Sequence, residues 1–299
     1  MNPVVAVVGP TATGKSALGI AIAKAIGGEV INADSMQLYR GMDIGTAKLT
    51  VAEREGVPHH LLDIWEVTQT ASVADYQNRA RLLIDELRAR DVTPVFVGGS
   101  GLYVRAALDA ISFPGTDADL RAELEVELDA VGAAAMHARL AQVDPAAAIV
   151  IAPENGRKIV RALEVVQLTG EPFTTALPSY DAATYDAIYL GLDLATPALD
   201  QRVEQRVEAM FDAGLEAEVR ALEGQELRTG FTASRALGYA QLLGYFDGRF
   251  SLDQARKETI RATRRYVRRQ RSWFRRDPRI NWLDAAGNPT EGALSLVAG

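Results

Sequence analysis

Residues 4–8 run VVAVV, five apolar positions with no polar residue between them. So short and β-branched a run predicts a strand buried on both faces. It gives way to GPTATGKS at 9–16, after which Ser16 to Ile26 shows helical spacing and stops at Gly27-Gly28. The stretch EVINAD predicts a second strand ending at Asp34. Val73 to Arg90 returns to helical periodicity, and Pro94 to Val97 (PVFV) predicts another buried strand, running into GGSGLY. Strand, helix, strand, helix, strand in this order is the pattern of an α/β fold with a parallel sheet.

The period changes after Phe113-Pro-Gly-Thr116. From Asp117 to Gly170 the pattern is helical almost throughout, alanine-rich, with a break at Asp144-Pro145. Strand character resumes at Ala187 to Leu194 (AIYLGLDL), and helices dominate from Ala198 onward. The economical division is an α/β core at 1–111 and 185–299 with a helical insertion at 112–184. No apolar run approaches the ~20 residues that cross a bilayer. With the first strand starting at Val4, a cytoplasmic protein with no membrane partner is expected.

Charge alters this picture in one place. The net charge of −7 argues against a nucleic-acid partner. Yet between Arg256 and Arg279 ten arginines and one lysine face only Glu258 and Asp277, so that segment carries +9. An acidic body with one basic stretch points to a localised polyanion site. Inside it, TRRYVRRQRSWFRR (263–276) interleaves arginines with Tyr266, Trp273 and Phe274, which suits phosphate contact with base stacking. The competing reading is a solvated helix face with its aromatics in the core; the arginine density favours RNA. Cysteine is absent, which excludes disulfides, zinc–thiolate sites and cysteine nucleophiles. His59, His60 and His137 lack helical metal-pair spacing, and His59-His60 is expected to be structural.

Three motifs carry chemistry. Gly9, Pro10, Thr11, Ala12, Thr13, Gly14, Lys15 and Ser16 match G-x-x-x-x-G-K-[ST] in full, between a strand and a helix. Backbone N–H groups and Lys15 would hold a polyphosphate there, and the Ser16 hydroxyl would meet Mg²⁺. The motif does not say whose phosphate it is. Asp34, at the end of the second strand, should face the same crevice. It suits a general base, a cap formed with Ser35, or a ligand to Mg²⁺ through water. Gly98-Gly-Ser-Gly-Leu-Tyr103 again follows a strand, its glycines allowing close approach to a ligand and Ser100 offering a hydroxyl. The strand PVFV does not end in the apolar run plus Asp that holds Mg²⁺ and water in ATPases, which argues against a motor or switch GTPase. A small-molecule kinase and a transferase acting on RNA both remain open on these grounds.

Taken together, the chain resembles the tRNA dimethylallyltransferases. The resemblance rests on GPTATGKS, INADSMQLYRGMDIGTAK, VPHHLLD, PVFVGGSGLY, GRKIVRALEV, GLEAEVRAL, SRALGYAQLL and RRYVRRQRSWFRR, which reach from residue 4 to about 276. It implies a P-loop core with a helical insertion, and transfer of a dimethylallyl group from dimethylallyl diphosphate to the exocyclic amine of adenosine 37, beside the anticodon of tRNA. The P-loop would then hold the donor's diphosphate with Mg²⁺ at Ser16, and Asp34 would be the general base. Ser100 replaces the family's usual threonine and keeps the hydroxyl. Also implied is tRNA contact by Asp34, Ser35, Met36 and Gln37, by Ser100 and Arg121, by Arg157, Lys158, Ile159, Val160 and Arg161, and by Arg235, Ala236, Leu237, Gly238, Tyr239 and Ala240. Departures are Glu154-Asn155 for Asn-Asp, Arg265 for a common glutamine, and Ser272 for threonine. Which of Arg202, Arg206 and Arg220 reaches the diphosphate stays open. A monomer is expected, and an adenylate isopentenyltransferase or a metabolite kinase is the alternative.

Overall fold

The valines of β1 (Val4–Val8) are buried without exception, as a run with no polar face requires. In this computed structural model, which describes residues 3–173 and 177–298, β1 lies between β4 (Pro94–Gly98) and β5 (Ala187–Asp193). The six-stranded sheet has the order β3-β2-β4-β1-β5-β6, with β2 at Glu29–Asn32, β3 at His59–His60 and β6 at Ile280–Asp284. Every pairing is parallel. Helices α1 (Lys15–Ile26), α2 (Val73–Ala89) and α3 (Gly101–Leu108) join the early strands. Separate apolar clusters cover the sheet: Ile31, Tyr76, Phe96 and Leu108 belong to one, and Val5, Ile22, Val95 and Leu190 to the other. This is the α/β parallel sheet that the hydrophobic pattern predicts, with the P-loop motif at the end of β1.

Two strands escaped the pattern. β3 is only two residues long, and β6 is an edge strand with Asn281 and Trp282 exposed, so neither offers an apolar run. β2 is also shorter than EVINAD: it stops at Asn32, leaving Ala33 and Asp34 as the start of a loop.

The described chain divides into two units, one built from residues up to Asp109 together with those from Tyr180 onward, the other spanning Ala110–Ser179. The second unit contains α4 (Ala118–Val131), α5 (Ala133–Val143), α6 (Pro145–Val150) and α7 (Gly156–Thr169) around Leu124, Met136, Leu140, Ile159 and Leu163. The break foreseen at Asp144-Pro145 is a cap: the Asp144 carboxylate accepts from Ala147 N, starting α6. Caps of this kind contribute ~1 kcal/mol each. Glu164 is fully buried here, and its carboxylate accepts from Arg121, Arg161 and the Asp117 N–H. Burial alone would raise the Glu164 pKa, but the two guanidinium groups hold it below the ordinary carboxylate range. The rest of the first unit is α8 (Thr196–Asp212), α9 (Leu215–Glu223), α10 (Tyr239–Phe246), α11 (Leu252–Phe274) and α12 (Pro289–Ala298).

Candidate active site

Because β2, β4 and β1 are neighbours, the loops leaving their carboxyl ends come together, where open parallel sheets bind ligands. The first loop delivers α1, with Gly14 at its N-cap and Lys15 and Ser16 in its first turn. Lys15 Nζ donates to Pro10 O at 2.6 Å. Burial, and then the nearby charge of Arg206, push the Lys15 ammonium down to about 7, against the pull of Asp34.

The second loop is pinned by Asn32. Its Nδ2 donates to Asp34 O (3.1 Å) and Leu61 O (3.0 Å), while its Oδ1 accepts from Asp34 N (2.9 Å). Asp34 Oδ1 accepts from Met36 N at 3.0 Å, so one oxygen caps the turn as the sequence allowed. The other is left without a hydrogen bond among the described residues. In the third loop, Ser100 Oγ accepts from Ser35 N (3.1 Å) and donates to Ser35 Oγ (3.2 Å), which ties that loop to the Asp34 turn.

Two of the three glycines of GGSG have a different cause from the one expected. A Cβ on Gly99 would lie 2.3 Å from Gln270 Nε2, and one on Gly101 would lie 2.1 Å from Trp273 Nε1. These two admit side chains of α11, whereas a Cβ on Gly98 would lie 2.2 Å from the Ala33 backbone, and Gly98 lines the cavity beside the P-loop described next.

Two cavities meet at this junction. One, of about 280 Å³, is lined by Asp34, Ser35, Met36, the 235–239 segment, Tyr266 and Arg269. The other, of about 330 Å³, has Gly14, Lys15 and Ser16 on one side and Ala47, Leu49, Leu62 and Val97 among its apolar walls. Thr11, Asp34 and Arg206 line both. A carboxylate thus stands where the chamber beside the P-loop meets a second chamber.

The arginines sort cleanly. Arg206 is half-buried in the shared wall; its burial lowers its pKa while Asp34 opposes the shift. Arg202 reaches Ala285 O, and Arg220 pairs with Glu216 and lies over the Phe246 ring. Of the residues expected at tRNA, Met36 and Arg235 to Tyr239 line the first cavity. Gln37 lines the second and donates to Thr46 O, while Ala240 is half-buried on α10. Arg121 and Arg157 to Arg161 all lie in the 110–179 unit. There Arg157 and Lys158 are exposed. Ile159 and Val160 are instead core side chains, and Arg121 and Arg161 are engaged by Glu164.

The basic helix also needs correction. Arg264 and Arg268 pair with Asp200, Arg264 also with Glu204, and Arg271 and Arg275 pair with Asp193. Much of the +9 is neutralised by the core's own carboxylates. Among the described residues Arg265, Arg269 and Arg276 hold no carboxylate and are exposed.

Sequence reasoning missed two supporting residues. Glu218 accepts from the N–H groups of Asp43, Ile44 and Gly45 and from the Tyr239 hydroxyl at 2.5 Å, which fixes one rim of the first cavity. Gln270 joins two of the strand-end loops. Only its place in a repeated-looking arginine run could have drawn attention to it, and that signal points the wrong way, to solvent. His60 pairs with Glu29 and His59 with Val57 O.

A family model described as IPP transferase matches residues 37–277. The chain belongs to the IPP transferase family. It is 63% identical to the tRNA dimethylallyltransferase of Streptomyces coelicolor, over 98% of this chain and 95% of that one, and 61% identical to that of Thermobifida fusca, over 99% and 95%. Among solved structures, the tRNA isopentenylpyrophosphate transferase of Bacillus halodurans matches with a TM-score of 0.74 at 38% identity, over all of this chain and 95% of that one. A eukaryotic dimethylallyltransferase acting on tRNA matches at 0.82 and 25% identity, over 95% and 74%. No helix among the described residues of this family member is long and apolar enough to cross a membrane.

Proposed function

We propose that this IPP transferase family member moves the dimethylallyl group of dimethylallyl diphosphate onto the N6 amine of adenosine 37 in tRNAs reading codons that begin with U, releasing diphosphate. The observation that carries this reading is the meeting of the two cavities at Asp34. The donor's diphosphate lies on the loop N–H groups, Lys15 and Arg206, with its five-carbon tail against Leu49, Leu62 and Val97. The adenine enters the other cavity, flipped out of the anticodon loop at a cost of a few kcal/mol.

As the amine nitrogen bonds to the donor's first carbon, the bond from that carbon to the bridging oxygen breaks and its electron pair leaves with the diphosphate. Lys15, Arg206 and the helix N-terminus stabilise the charge that develops there. The free oxygen of Asp34 takes the amine proton, a step that typically contributes ~10² to 10⁴-fold. Ser100 orients the Asp34 turn through Ser35. One hydroxyl beside a phosphate cradle fits Mg²⁺, which takes few protein ligands and shares the rest with substrate phosphates. Ser16 would hold it, and it supplies further neutralisation of the leaving diphosphate. The 110–179 unit presents Arg157 and Lys158 to the anticodon stem-loop. The protein acts as a monomer in the cytoplasm.

Incubation with dimethylallyl diphosphate, Mg²⁺ and either an unmodified anticodon stem-loop or AMP tests the reading. Prenylation of the stem-loop is expected. Prenylation of AMP alone, or phosphate transfer from ATP without prenylation, contradicts it.

A further inference from the structure

Gln270 sits on α11, a helix whose arginines face the surface, yet it is 5% exposed. Its carboxamide is used at both ends. Oε1 accepts from Thr11 N in the P-loop at 3.0 Å, and Nε2 donates to Gly99 O in the loop after β4 at 2.9 Å. Thr11 lines both cavities. Gly99 precedes Ser100, whose hydroxyl holds the Asp34 turn. One side chain therefore joins the loop on the donor side to the loop that supports the base.

Tyr266, one turn earlier on α11, lines the acceptor cavity. A side chain needed only to fill this space would not require an amide with its two ends oppositely occupied. The missing Cβ at Gly99 makes the approach possible, since that atom would fall 2.3 Å from Gln270 Nε2.

We infer that Gln270 is a positioning residue for the transfer reaction, setting the distance between the donor's diphosphate cradle and Asp34. It touches neither substrate. Its effect belongs to the rate of the chemical step, because a displacement of ~1 Å in a reacting pair costs up to ~10²-fold. The inference rests on the reaction proposed above, and the unmodified protein's own turnover in the same assay tests that reaction separately.

The full chain carrying Gln270→Leu is compared with the unmodified protein in single-turnover transfer at saturating donor and stem-loop, alongside both dissociation constants and thermal unfolding. The transfer rate is expected to fall about 10- to 100-fold. Both dissociation constants should stay within about threefold, with the protein folded at assay temperature. Gly99→Ala, made alone and together with Gln270→Ala, gives a second route should Gln270→Leu fold poorly. If the two residues act through one contact, the double variant is no slower than Gln270→Ala alone. An unchanged rate in folded Gln270→Leu overturns the inference. So does a loss confined to stem-loop affinity, which would make Gln270 an RNA contact, or a double variant whose losses simply multiply.

Discussion

Asp34 divides its two oxygens between structure and chemistry. Oδ1 holds the Met36 N–H, and Asn32 fixes the backbone on both sides, so the turn does not depend on the second oxygen. Asp34→Asn should therefore keep the fold and the donor affinity while lowering kcat by ~10²-fold or more, because the amide cannot take the amine proton. Rapid-quench turnover beside donor titration checks this, and an unchanged kcat would reduce Asp34 to a cap. Lys15 gives a pH prediction of definite sign. Burial and Arg206 leave its ammonium near 7, well under its ordinary value, so it loses its proton as pH rises through about 7 in the free protein. A bound diphosphate raises that pKa by direct charge attraction. Donor binding should thus take up a proton above pH 7 and weaken as pH climbs. Calorimetry in buffers of different ionisation heat measures the uptake; a value of zero at pH 8 contradicts it. Asp34, Lys15 and Ser100 were legible in sequence because each lies in a motif at or just after the end of a predicted strand. Arg206 was not, since it comes from mid-α8 and only packing distinguishes it from Arg202.

At the scale of elements, the first cavity's rim depends on α9. Glu218 satisfies three consecutive backbone N–H groups and the Tyr239 hydroxyl, and hydrogen bonds to a charged group contribute ~1.5–3 kcal/mol each before partial replacement by water. Glu218→Ala should lower stability by ~2–3 kcal/mol in urea unfolding and weaken stem-loop binding more than donor binding. Equal weakening of both would remove the link between α9 and the acceptor side. The strands β1, β4 and β5 announced themselves as apolar runs, as did the amphipathic helices. β3 and β6 did not, because a two-residue strand and a half-exposed edge strand carry no such run. Nor could the sequence show that the glycines at 99 and 101 make room for α11, since that approach joins positions about 170 residues apart.

Over the whole molecule, the basic segment and the acidic remainder are not independent. Asp193, Asp200 and Glu204 already engage four arginines of α11 and its end, so counting charge along the chain overstates what RNA can reach. Arg265→Ala and Arg269→Ala should each reduce the salt slope of stem-loop binding by ~0.7–0.9, the value for one phosphate contact. Arg271→Ala should leave the slope nearly unchanged, since that side chain is held by Asp193, Thr196 and Leu194 O. Equal slopes for all three variants would mean the internal ion pairs open on binding. The central claim is geometric: the P-loop chamber holds a leaving group, the neighbouring chamber holds the accepting base, and Asp34 stands between. A crystal structure with an unreactive thio-analogue of dimethylallyl diphosphate and an anticodon stem-loop tests it most directly. The diphosphate should lie on Lys15 and Ser16, with the flipped adenine's amine within hydrogen-bond distance, about 3 Å, of Asp34. An adenine base stacked in the P-loop chamber, or an amine remote from Asp34, would contradict it.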